Sequence, residues 1–167
     1  MRLSAVAGFA AIAIAIAGCA VVAARFTEDP KPARASATRE ILFQEAWLDA
    51  NQVVPPHKGE AGGSMYGVLE LASGKFEWRV TIARLTGPAV SVGFYGPADK
   101  GQNGPLVLAL PPFENGTGSL EGRHTLTQTQ MDELIAGKWY VNVVTRAFPE
   151  GETRGQVVDS KRGVHGG

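Results

Sequence analysis

The chain has 167 residues, and its 16 Lys+Arg are matched by 16 Asp+Glu, so it carries no long-range field that would gather nucleic acid or an anionic membrane surface. Its one cysteine excludes an intrachain disulfide and a cysteine-built metal site. Glycine (21) and proline (10) fall between short apolar runs, the pattern of an all-β chain with many turns, and the length leaves room for one domain of about 120 residues.

The first segment, 1–24, stands outside the fold. Leu3 to Ala24 is almost wholly apolar and follows Arg2, which marks an export signal or membrane anchor. Ile16-Ala17-Gly18-Cys19 resembles the lipobox of bacterial lipoproteins, and Cys19 is the candidate lipid-attachment residue. Ala20 to Ala24 stays apolar, however, where a lipoprotein turns polar. Two other readings therefore remain open. Val22-Ala23-Ala24 offers the small residues of an ordinary signal-peptidase site, with Cys19 discarded. Alternatively, at ~1.5 Å per residue the segment approaches the ~30 Å of a bilayer core and stays as an anchor. All three export the domain to the cell envelope, as a membrane-anchored, periplasmic or secreted protein. Residues 25–39 are polar, mixed in charge and interrupted by Pro30 and Pro32, the composition of a flexible tether.

The domain is expected over 40–158. Ile41 to Leu48 predicts a strand, although Glu40 to Asp49 could pass for a short helix on composition. Pro55 and Pro56 end any ladder, since neither can donate a backbone hydrogen bond. After a glycine-rich loop, Met65 to Leu71 forms a second strand with Met65, Leu69 and Leu71 inward and Tyr66, Val68 and Glu70 outward. The third has the cleanest alternation: Phe76, Trp78, Val80 and Ile82 face one way, and Lys75, Glu77, Arg79 and Thr81 the other, as in a half-buried antiparallel strand. Val90 to Tyr95, Leu106 to Leu110 and Ser119 to Leu126 supply three more, separated by a loop ending in Asn103-Gly104 and by an Asn115-Gly116 turn. That turn also accounts for the glycosylation-like Asn115-Gly116-Thr117.

Thr127 with Gln130 three positions on matches a capping box, and Met131, Leu134 and Ile135 follow at helical spacing, with Gly137 placed to end the helix. A late hairpin then turns at Phe148-Pro149-Glu150-Gly151. In its first run Trp139, Val141 and Val143 share one face, while Tyr140, Asn142 and Val144 share a polar and aromatic outer face. Residues 159–167 lack apolar periodicity and read as a disordered tail. The spacing of turns predicts an antiparallel Greek-key β-sandwich of seven or eight strands, with one short helix near 128–136.

Five motifs in order carry a family resemblance. They are Gln52-Val53-Val54-Pro55-Pro56; Leu85-Thr86-Gly87-Pro88; Gly96-Pro97-Ala98 with Asn103-Gly104-Pro105-Leu106; Gly137-Lys138-Trp139-Tyr140-Val141-Asn142-Val143; and Gly151-Glu152-Thr153-Arg154-Gly155-Gln156. Together they resemble the CHRD domain, named for the growth-factor-binding protein chordin and also found singly in bacterial envelope proteins. The resemblance covers about Phe43 to Val158 and implies an immunoglobulin-like sandwich, distantly similar to copper–zinc superoxide dismutase. It makes Pro55, Pro56, Asn103, Gly104, Pro105, Asn142, Arg154, Gly155 and Gln156 family framework. The chain departs from the family at the positions that could do chemistry. A His-x-His before the Gly-Pro-Ala run is here Gly93-Phe94-Tyr95, a histidine in the late hairpin is Val144, and an acidic residue before the proline pair is Val53.

No catalytic set is legible. His57, His124 and His165 have no metal-ligand spacing, Glu150 and Glu152 read as a solvated turn, and no nucleophile elbow or phosphate loop is present. Neither a metal nor a cofactor is expected. Arg154 is expected to bind a carboxylate bidentately beside a close backbone approach at Gly155. The sequence thus points to a non-catalytic, exported module binding a protein or cell-surface partner. The alternatives are a dismutase-like metal protein, and a glycan-binding module using Tyr66, Tyr95 and Tyr140.

Overall fold

A computed structural model describes residues 40–160; the candidate lipid site Cys19, the tether and His165 lie outside them. Nine antiparallel strands and one α-helix, with a single 3-10 turn at Ala50–Gln52 after the first strand, make up this region. They are β1 (Ile41–Asp49), β2 (Gly62–Glu70), β3 (Lys75–Ala83), β4 (Ala89–Tyr95), β5 (Leu106–Leu110), β6 (Gly118–Thr125), α1 (Gln128–Ile135), β7 (Tyr140–Thr145), β8 (Thr153–Gln156) and β9 (Val158–Asp159). The expected all-β class with one short helix is what forms, and Ile41–Asp49, which could pass for a helix on composition, is a strand.

The strands lie in the order β5-β4-β7-β8-β1-β2-β3-β6, with β9 also on β1. What the sequence suggested as two sheets is here two halves of one curled sheet, joined where Asp49 pairs with Arg154. The curl is visible in the core. Phe76 and Trp78 of β3 meet Phe94 of β4 at 5.6 and 5.8 Å between ring centroids, although five strand pairings separate β3 from β4 along the sheet. Phe94 in turn meets Trp139 at 6.1 Å.

The β3 alternation is realised: Phe76, Trp78, Val80 and Ile82 are buried. Trp78 lies in register between Gly67 of β2 and Gly122 of β6. A Cβ at Gly122 would stand 2.5 Å from the indole, so the large ring occupies the room its neighbour gives up. Helix α1 begins with the expected capping box: Gln130 N donates to Thr127 Oγ1 at 3.3 Å, and Thr127 N donates to Gln130 Oε1 at 2.9 Å. Met131 and Leu134 are buried, while Ile135 remains exposed. Gly137 follows with φ +70°, the left-handed geometry that ends a helix.

Asp159 and Ser160, expected in the tail, are held by β1, and the rest of that segment lies outside the described residues. Val158 pairs with Glu45 and Asp159 with Gln44, and Ser160 N donates to Phe43 O at 2.7 Å. The edge of β1 left free beyond β8 supplies these partners.

Candidate functional site

The outer face of the late hairpin is covered. Tyr140 and Asn142 are 2% and 8% exposed, where strand alternation led to the expectation of an open face. The cover is the loop between β4 and β5, and the framework residues hold it. Arg154, 2% exposed, donates from Nη1 to Asn103 Oδ1 at 3.1 Å and from Nη2 to the Gln102 carbonyl at 2.7 Å. Its guanidinium carbon lies 3.6 Å from the Tyr140 ring centroid. The Tyr140 hydroxyl accepts from Gly104 N at 3.0 Å and donates to Gly104 O at 3.2 Å. Gln156 Nε2 donates to Ala98 O and Gly137 O, and Asn103 Nδ2 to Val54 O beside Pro55. The pinning role expected of Arg154 is present, but its acceptors are amide oxygens and a ring, not a carboxylate. Burial pushes the guanidinium below its ordinary pKa, and the Tyr140 hydroxyl opposes that shift.

The structure brings most of the framework together. Asn142 pairs with Arg154, and Tyr140 with Gln156. Asn142 Nδ2 donates to Glu150 O at 3.1 Å. Gly155 makes the expected close approach: a Cβ there would sit 2.5 Å from the Trp47 carbonyl oxygen. Pro55, Pro56 and Pro105 are exposed. Glu152, expected in a solvated turn, is 1% exposed. It accepts from Thr86 N at 2.7 Å, Thr86 Oγ1 at 3.0 Å and Thr145 Oγ1 at 2.6 Å, because those donors arrive from two other segments. Glu150 stays exposed.

The three positions at which the family resemblance implies histidines, Gly93, Tyr95 and Val144, share the face of β4 and β7. Ser91 pairs with Val144, and its hydroxyl lies 3.3 Å from that of Tyr95. Tyr95 stacks on Tyr140 at 5.4 Å. At Gly93 a Cβ would meet Leu106 Cδ1 at 2.5 Å, so an apolar side chain fills the room a ligand would need. A glycine, a phenol and a valine do not fit copper or zinc. Elsewhere, His57 stacks on Phe148 at 4.2 Å and His124 accepts from Trp78 Nε1 at 3.4 Å. Among the described residues no cluster of three His, Cys, Asp or Glu is placed to hold a metal.

An open surface lies elsewhere, on the outer face of β1–β2–β3–β6. Trp47 is 64% exposed, Tyr66 51%, Val158 45% and Phe43 40%. The register sets Val158, Glu45, Tyr66, Arg79 and Glu121 in one row, with Phe43, Val68, Glu77 and Arg123 beside it. A groove of about 880 Å³ runs among Phe43, Tyr66, Glu77, Arg79, Glu121 and Arg123. A second, of about 760 Å³, flanks Trp47 with Glu60 and Arg84. Tyr66 is legible as outward from its strand pattern; Phe43 and Trp47 alternate with the inward Gln44, Ala46 and Leu48, a signal blurred by a composition that also suits a helix. The three tyrosines do not share a face: Tyr140 is buried, Tyr95 packs on it, and Tyr66 stands on the opposite half of the sheet order.

A family model described as the CHRD domain matches residues 44–157. Comparison with curated proteins and with solved structures gives no match.

Proposed function

The chain belongs to the CHRD-domain family, and from that premise we propose that it is a non-catalytic module, exported and membrane-tethered, that binds a partner through the outer face of β1–β2–β3–β6. One observation carries the choice of surface. Of the seven large apolar side chains exposed among the described residues, four (Phe43, Trp47, Tyr66 and Val158) gather on this face. Exposed apolar groups concentrated in one patch mark a contact surface, whereas scattered ones do not. CHRD domains are in general β modules without catalysis. The dismutase-like alternative has no support in the donor set at Gly93, Tyr95 and Val144.

A photo-crosslinking amino acid at Tyr66, compared with one at the equally exposed Val90 on β4 (51% and 55%), tests the surface in intact cells. Adducts that form from position 66 and not from 90 support it. Equal yields, or none from 66, remove this face as the contact surface.

A further inference from the structure

We infer, resting on that reading of the face, that its occupant is a neutral polysaccharide chain. The shape points to an extended ligand. Trp47 and Tyr66 stand edge to face, 6.4 Å apart at 80°, with the groove of about 880 Å³ on the Tyr66 side and that of about 760 Å³ on the Trp47 side. A ligand occupying both grooves crosses the ring pair. Indole and phenol offer apolar surface with a polar tip, which suits the C–H face of a sugar ring while its hydroxyls stay hydrogen-bonded.

The charges narrow the class. Across the strands Arg79 pairs with Glu121 at 2.6 Å, and Glu77 stands in register with Arg123. With Glu45, the groove has three carboxylates against two guanidiniums, a mixture that gives a polyanion no net attraction. Carboxylates and guanidiniums present acceptors and donors in adjacent pairs, the spacing that neighbouring hydroxyls of a sugar can meet. A protein partner is the poorer fit. The centre of a protein interface is depleted of charge, and covering the Arg79–Glu121 pair with apolar groups would strip its solvation. A polyhydroxyl chain replaces that water with equivalent hydrogen bonds.

The face carries its own reporter, because Trp47 is 64% exposed while Trp78 and Trp139 are 5% and 0%. The full chain in detergent is titrated with cellohexaose, chitohexaose and maltohexaose, and with an alginate hexasaccharide as the anionic probe. Iodide quenching of tryptophan emission and calorimetry are read together. Expected is saturable protection from iodide by at least one neutral hexasaccharide, with Trp47→Ala and Tyr66→Ala each weakening the calorimetric affinity about tenfold or more and Val90→Ala leaving it unchanged. No response to any neutral hexasaccharide, a response to alginate alone, or affinity insensitive to both aromatic substitutions overturns the inference. The crosslink at position 66 separates the two levels. A protein adduct there without a sugar response overturns the polysaccharide and keeps the contact face. Neither adduct nor response removes both.

Discussion

Arg154 lies inside the domain, and among the described residues it forms no ion pair with a carboxylate. An unpaired buried charge is costly, so its tolerance depends on the Gln102 carbonyl, the Asn103 amide and the Tyr140 ring acting together. Lysine would keep the charge but could not lie flat on the ring while reaching both oxygens. Arg154→Lys is therefore expected to cost about 2–3 kcal/mol, read as a lowered urea midpoint; an unchanged midpoint would remove the pinning role. The sequence marked Arg154 and Gly155 as a unit and missed the acceptors, because a backbone carbonyl on a distant loop leaves no signature in residue type. Glu152 escaped for the same reason, since its donors Thr86 and Thr145 are adjacent only once the sheet has curled.

At the scale of elements, local rules were sufficient wherever a segment's surroundings follow from its own pattern. The alternation of β3 and the capping box of α1 needed no knowledge of the rest. The outer face of β7 did, because alternation states which side chains share a face and not whether a loop from elsewhere will cover it. Two tryptophans show the contrast between faces. Trp78 fills space that Gly122, its partner on β6, leaves open. Trp78→Ala is expected to cost about 3–5 kcal/mol. Trp47→Ala, on the open side of β1, should shift stability by no more than about 0.5 kcal/mol. Comparable losses in urea unfolding would mean that Trp47 is structural and would weaken its role as a ligand contact.

For the whole molecule, location matters as much as shape. The apolar stretch from Leu3 to Ala24 and the polar residues 25–39 lie outside the described region, and the membrane attachment we propose rests on the sequence alone. Fractionation of Cys19→Ala tests it. Loss of lipid and of normal processing is expected for a lipoprotein, whereas unchanged sedimentation with membranes would favour a retained span and overturn lipid attachment.

The position of β1 gives such an attachment a mechanical consequence. A pull arriving through the residues before Ile41 enters β1 along its length, where nine residues face nine of β2 and the opposite edge is shared by β8 and β9. Force in that direction must shear many hydrogen bonds at once instead of opening them one by one. The same strand presents Phe43 and Trp47 outward, while Tyr66, Arg79 and Glu121 stand on β2, β3 and β6, so tension between a membrane and a ligand would enter at β1 and spread across its neighbours.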